Sequence, residues 1–419
     1  MDTKTLSGFG EIKSELKFDG FLDWFVAYND VHTLWRAQPT YLIVSILFIV
    51  GGLITFYHAL KSGGRFIQLW IGVICHGLVV EIVCYNLPDI DNFWHSPTPI
   101  MFLGRRLPLH IIFLYAVFIY TAAITIDKLK LPLWSEPFAV GLMVNLLDYP
   151  YDVMSVKFVH WVWHDTDPNI FDRHYHVPWN SYYFHATFAA GFIFWFYFTR
   201  RFIIKSNDPK KSGPFSKELL CTLIASFLGM PTGVLMFIPN YHILHDIYNL
   251  HSELTYHLLL GIYVVIIFSG ILSLKTLPQH SRNCQDYLIL VYLAIYYSVY
   301  FGMALIGNPE SEIAMGLHEP IGPCDKNVSI KTAFGQTLYK RKYLCVTDYD
   351  ESYFGWSCLS DGKPPIGKIA DYYTICGTPF ENRMEYIILM LTITIIAAGI
   401  FLNIFLRTTI KKNALKKKN

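Results

Sequence analysis

Apolar runs of about 20 residues recur along this chain, and that is the length of helix that crosses the hydrocarbon core of a bilayer. About nine can be placed, at 40–60, 66–86, 108–126, 131–152, 182–204, 217–239, 254–274, 286–306 and 384–406. Backbone groups inside lipid have no water to bond, so such runs close their hydrogen bonds as helices. The expected fold is therefore all-α, a polytopic transmembrane bundle. Composition agrees: 53% of the 419 residues are hydrophobic and only 16% are charged. These values describe a membrane protein rather than a soluble enzyme. The fourth run is the most interrupted, by Glu136, Asn145, Asp148 and Asp152.

Orientation follows from Lys and Arg in short loops, which stay on the cytosolic side. The most basic loop holds Arg200, Arg201, Lys205, Lys210, Lys211 and Lys217. The tail from Arg407 is basic too, and residues 240–253 carry no Lys or Arg. Together these place the N-terminus outside the cytosol and the C-terminus in it. Arg105 and Arg106 run against that trend. Met1 to Lys17 has no apolar core, so the first span is expected to act as the insertion signal. Lys416 and Lys417 stand four and three residues from the end, the spacing of a dilysine retrieval signal, which points to the endoplasmic reticulum membrane.

Five regions follow. Residues 1–39 form a lumenal segment, with an interfacial amphipathic helix expected where aromatics alternate with acids at 18–36. Residues 40–306 form an eight-span core with His-rich lumenal loops. Residues 307–383 form a small lumenal insertion. The last span occupies 384–406 and the cytosolic tail 407–419. The insertion holds Cys324, Cys345, Cys358 and Cys376, an even number that in an oxidising compartment implies two disulfides of open pairing. It also holds the glycosylation sequon Asn327-Val-Ser329. Cys75, Cys84, Cys221 and Cys284 are expected to be free thiols.

Titratable residues gather at the lumenal face. The densest stretch runs from His160 to His185, and polar density of this kind beside a bilayer is costly. His160 and His164 would share a face on a helix, as would His242 and His245. With nearby carboxylates these four fit Zn²⁺ or non-haem iron. His110, Asp165, Asp167, His185, Asp246 and His257 are additional ligands or partners that fix an imidazole tautomer. In the version without metal, Glu81, Asp148 and Asp152 are the acids, tuned by burial to donate protons. The cytosolic half is poor in such residues. Aromatic belts account for Trp161, Trp163 and Trp179 without any function.

Glu81, Asp148-Tyr-Pro-Tyr-Asp152, Trp161-Val-Trp163 and Val177-Pro178-Trp179-Asn180, in that order, resemble the carotenoid hydratase-type membrane family. The likeness covers about residues 76–190. It implies water addition across an isoprenoid double bond, with Glu81, Asp148 and Asp152 as the acids. The His-rich loops and the Cys-rich insertion depart from that pattern. The segment Tyr241-His-Ile-Leu-His-Asp246 also resembles multi-pass animal proteins of unassigned role. A membrane desaturase would need an adjacent His pair, which the chain lacks.

No G-x-S-x-G elbow, phosphate loop, dinucleotide fingerprint or nucleic-acid patch is present. The leading expectation is an enzyme acting on a lipid or isoprenoid-like molecule by hydration or hydrolysis. A proton-coupled transporter or receptor and a non-catalytic assembly factor are the alternatives.

Overall fold

The computed structural model describes residues 6–205, 208, 210–274, 284–349 and 351–406. Two short helices, α1 (Gly20–Phe25) and α2 (Val31–Ala37), precede the bundle. Nine long helices follow among the described residues: α3 (Pro39–Ser62), α4 (Arg65–Asn86), α5 (Leu109–Asp127), α6 (Glu136–Lys157), α7 (Trp179–Ile203), α8 (Phe215–Ile247), α9 (Ser252–Leu272), α10 (Cys284–Ile306) and α11 (Arg383–Leu406). Seven of them are long and apolar enough to cross a membrane; α6 and α7 are not among the seven. Nearly all of α6 is buried, including Asn145, Asp148 and Asp152. A helix enclosed by protein has no lipid-facing side to keep apolar. Its neighbours approach closely. A Cβ at Gly141 would meet the Ala186 carbonyl at 2.5 Å, and one at Gly191 the Gly229 carbonyl at the same distance. Small residues allow such contact between helices in membranes.

Pro150 lies inside α6. It has no N–H to offer the Leu146 carbonyl one turn back. The Tyr297 hydroxyl donates to Leu146 O instead (2.9 Å), and that of Tyr296 to Leu147 O (2.6 Å). Two tyrosines of α10 thus satisfy the backbone beside Asp148 and Asp152.

The chain is not all-α, as the sequence led us to expect. One end of the bundle carries a β-rich cap. The insertion forms β8 (Ile313–Ile321), β9 (Asn327–Lys331), β10 (Thr337–Arg341), β11 (Phe354–Gly355) and β12 (Ala370–Gly377), paired as β11-β12-β8 and β10-β9. Cys324–Cys345 and Cys358–Cys376 are the disulfides, and the other four cysteines are free. The β-prone run Tyr372-Tyr373-Thr374-Ile375 suits β12, which is buried without a break from Tyr373 to Gly377. The cap also takes in β1 (Val26–Tyr28) with β3 (Ile100–Phe102) and β4 (Leu107–Pro108), and the short pair β6 (Arg173–His174) and β7 (Val177–Pro178). The 18–36 stretch is therefore two helical pieces split by a strand, not one helix. Phe21, Leu22, Trp24 and Phe25 of α1 remain exposed.

The opposite end is richer in charge than expected from sequence. Arg65, Lys210 and Lys130 surround Asp127 at 2.8, 2.7 and 3.1 Å, and Lys210 also reaches Glu136 at 2.6 Å. Lys128 and His58 meet Asp286, and Arg200 pairs with Glu218. Spread over the chain as single residues, these read as helix ends; folding gathers them. The tail from Arg407, with its dilysine pattern, falls outside the described residues.

Glu312 sits where the cap meets α3, 1% exposed and beside Thr40. Burial lifts its carboxyl to about 8, against hydrogen bonds from Thr40 that act the other way. The folded state then holds a proton that the unfolded chain releases near pH 4.5. This contribution to stability is complete below about pH 4.5 and declines until about pH 8. In Glu312→Gln that decline should vanish, leaving the variant more stable than wild type at pH 8 by on the order of 1–3 kcal/mol. Unfolding midpoints in detergent at pH 5 and pH 8 measure it; equal pH dependence in both proteins would refute it.

Candidate functional site

A cavity of about 190 Å³ lies among α4, α5, α6, α7 and α8. Its walls are mainly apolar, and its roof is the strand pair β2 (Phe93–His95) and β5 (Trp161–Trp163), with Phe93 opposite Trp163 and His95 opposite Trp161. Trp161 and Trp163 therefore cover a cavity rather than form an interfacial belt, while Trp179 packs against Tyr182 and Tyr256. A π-helical turn at Ala116–Tyr120 interrupts α5 and presents Phe118 and Ile119 to the space. Such turns occur often at functional sites.

Two polar groups face this apolar space. On α4, Glu81 accepts hydroxyl protons from Tyr85 (2.5 Å) and Tyr115 (2.8 Å). On α7, Ser181 and His185 stand one turn apart and both line the cavity. Behind them on α6, Asp148 and Asp152 are also one turn apart. Ser181 donates to Asp152 Oδ2 (2.8 Å), and His185 Nδ1 lies 3.3 Å from Asp148 Oδ1. One ligand-type atom from each of Asp148, Asp152 and His185 falls within 4.8 Å of the others. Of the three predicted acids only Glu81 lines the cavity; Asp148 and Asp152 stand behind the Ser181–His185 wall, where His185 joins them.

The predicted metal quartet is not brought together. His160 and His164 flank β5, and on an extended strand four residues rise about 13 Å, so the shared helical face does not exist. His160 Nε2 lies 2.8 Å from Thr40 Oγ1, with its ring stacked on Tyr41. His242 and His245 occupy a π-helical turn ending α8, where both Nδ1 atoms bond to Asp246, at 2.6 and 2.8 Å. Asp246 contacts both rings, but neither ring enters a three-ligand group among the described residues. His110 is buried beside Ser45 and Tyr41, away from any such group. His257 bonds back to Glu253 O (2.9 Å) on an exposed helix start.

His164 and Asp165 belong to a second buried group with Glu319 of β8. The Asp165 amide donates to Glu319 Oε2 (3.0 Å), and Thr166 N–H to His164 Nδ1 (3.1 Å). Burial raises both carboxyl pKa values and lowers that of His164 to about 3. Asp167 pairs with Lys340 of β10 (3.0 Å). These contacts lock the 158–178 loop, and so the cavity roof, onto the insertion.

Sequence reasoning passed over Ser181, His76 and His95 at the cavity and Glu319 in the cap. Ser181-x-x-x-His185 carried a usable signal, the one-turn spacing that puts both on one helix face. Glu319 carried none, being 154 residues from its partner Asp165.

No curated protein and no solved structure matches the chain. A family model described as a domain of unknown function, DUF7802, matches residues 12–406, and the chain belongs to that family.

Proposed function

We propose that this protein is a membrane-embedded enzyme that carries out acid–base chemistry on an apolar substrate, lipid or isoprenoid-like, held in the cavity between α4 and α7. The observation that carries this reading is the pairing of an apolar enclosure with two converging polar walls, Glu81 on one side and His185 with Asp148, Asp152 and Ser181 on the other. Apolar pockets with a few convergent polar groups are the usual form of small-molecule sites. An apolar cavity of about 150 Å³ accepts benzene, so this one suits the reacting segment of a longer molecule rather than a whole lipid. Glu81 can then deliver or accept a proton on one side of the bound segment, with the α6–α7 wall acting on the other, as hydration or hydrolysis requires. The resemblance to carotenoid hydratase-type proteins favours hydration.

In this reading all nine long helices span the membrane, with α6 and α7 as polar spans sheltered at the centre. The cap lies in the lumen, where its disulfides and exposed Asn327 suit an oxidising, glycosylating compartment. The basic tail lies in the cytosol, and the dilysine spacing favours the endoplasmic reticulum.

Ala189 of α7 is a buried wall residue of the cavity. In Ala189→Phe the added ring should occupy the space. Lipid extraction of detergent-purified protein should yield about one apolar molecule per wild-type chain and none from a variant of unchanged melting midpoint. Equal yields from both would sink the cavity reading.

A second reading is a proton-coupled transporter. The charged cluster around Asp127 favours it, because polar residues at both ends are what a path across the membrane needs. It requires pH-dependent solute flux in proteoliposomes, which an enzyme does not.

A further inference from the structure

We infer that Asp148, Asp152 and His185 bind one divalent transition metal of the zinc class, with an open coordination position toward the cavity. Asp148 is 0% exposed and neither of its carboxylate oxygens has a hydrogen-bond partner; Asp152 Oδ1 is likewise unpartnered. Three acceptor atoms thus converge, facing one another and His185 Nδ1. No described Lys or Arg pairs with either aspartate, so two buried carboxylates share a gap without a counter-charge. Two ionised carboxylates in such a place require a cation. A divalent ion beside neutral His185 brings the net charge of the group to zero.

The spacing fits the ion better than it fits a hydrogen bond. His185 Nδ1 and Asp148 Oδ1 are 3.3 Å apart, beyond the roughly 2.9 Å of a good N–H···O bond. Two donors each about 2.1 Å from a tetrahedral zinc lie roughly 3.4 Å from each other. All three donors come from one-turn pairs on adjacent helices, so the backbone holds them in place. Ser181 donates to Asp152 Oδ2 and leaves Oδ1 unpartnered, an orienting contact of the kind that metal ligands keep. His185 is the one member that lines the cavity, with 25% of its side chain exposed. Three protein donors and one open side form the pattern of a catalytic rather than a structural zinc site. The open position would take water or an oxygen function of the substrate.

The catalytic role of the ion rests on reading this cavity as the reaction site; its presence is measured without turnover. Full-length protein purified in detergent without chelator is analysed by elemental mass spectrometry. Wild type should carry about one equivalent of zinc or iron. Asp148→Asn/Asp152→Asn should carry none, whereas His242→Ala/His245→Ala should carry as much as wild type. Where the double aspartate variant folds poorly, zinc is added back to stripped wild type and to His185→Gln. The midpoint should rise by about 5 °C or more in the first at saturating metal and not in the second. Metal retained by a folded Asp148→Asn/Asp152→Asn protein overturns the site. Folded wild type that holds no metal and gains no stability from zinc, manganese or ferrous iron overturns it too, and leaves the aspartates as a proton-sharing pair in which the acid–base reading survives.

Discussion

Glu81→Gln should leave the bundle folded and lower turnover at the cavity by about 10²- to 10⁴-fold, the range for loss of a positioned acid or base. Glutamine has nearly the shape of the protonated acid and keeps one acceptor oxygen. Of the two tyrosine hydroxyls that Glu81 accepts from, Tyr115 can still donate to that oxygen, and Tyr85 can rotate to accept from the new amide. The structural cost is then about 1 kcal/mol, one altered hydrogen bond. What is lost is the exchangeable proton. Tyr115→Phe is the control, since it removes one orienting contact and leaves the carboxyl in place; a loss of about tenfold or less is expected. The readout is the lipid profile of membranes from cells lacking the protein and supplied with each variant. Glu81→Gln should reproduce the accumulation seen without the protein, while metal content and melting midpoint stay at wild-type values. Normal lipid profiles with Glu81→Gln would remove Glu81 from the chemistry and leave the α6–α7 wall to act alone.

That experiment turns on residues that were legible in the sequence, and the reason is local. Asp148 and Asp152 are one helical turn apart inside an apolar run, and an acid in such a run is expensive unless something uses it. The length of the apolar runs also placed the seven apolar helices within two residues at every end except the last turns of α8, which continue to Ile247. Other features depended on contacts that no local pattern encodes. The His160–His164 spacing has a helical meaning only if the segment is helical; Trp161-Val-Trp163 instead pairs with Phe93–His95, and the histidines separate. The insertion was read from its cysteines as a stapled loop, because disulfides are countable while the register of β8 against β12 is not. The polar helix α6 was the least certain span for the same reason that makes it central. Hydropathy reports contact with lipid, and nearly all of α6 is buried against its neighbours.

The charged end of the bundle escaped the sequence in the same way, and it carries the largest expected effect on stability. Asp127 is 9% exposed and holds Arg65 and Lys210 at once, with Lys130 at its rim. Neutralising it in Asp127→Asn takes the close acid from the buried Arg65 and the partly buried Lys210, while Glu136 still reaches Lys210. Breaking a buried pair by removing one partner costs about 3–5 kcal/mol, because the remaining charge loses its compensation. Lys130→Ala is the contrast. Its side chain is 52% exposed, and a partner that water can replace contributes about 0–1 kcal/mol. Thermal unfolding in detergent should therefore separate the two variants by several degrees, with Asp127→Asn far lower. The cluster joins the start of α4, the end of α5, the start of α6 and the loop after α7, so it acts as a clasp on four segments that the sequence keeps 145 residues apart at most. A clasp and a conduction path make opposite demands on Asp127. If the charge is there to hold the helices, the variant loses stability and any residual folded protein keeps its lipid activity. If Asp127→Asn keeps the wild-type midpoint and instead abolishes pH-dependent flux, the charges serve passage across the membrane, and the transporter reading replaces the enzyme.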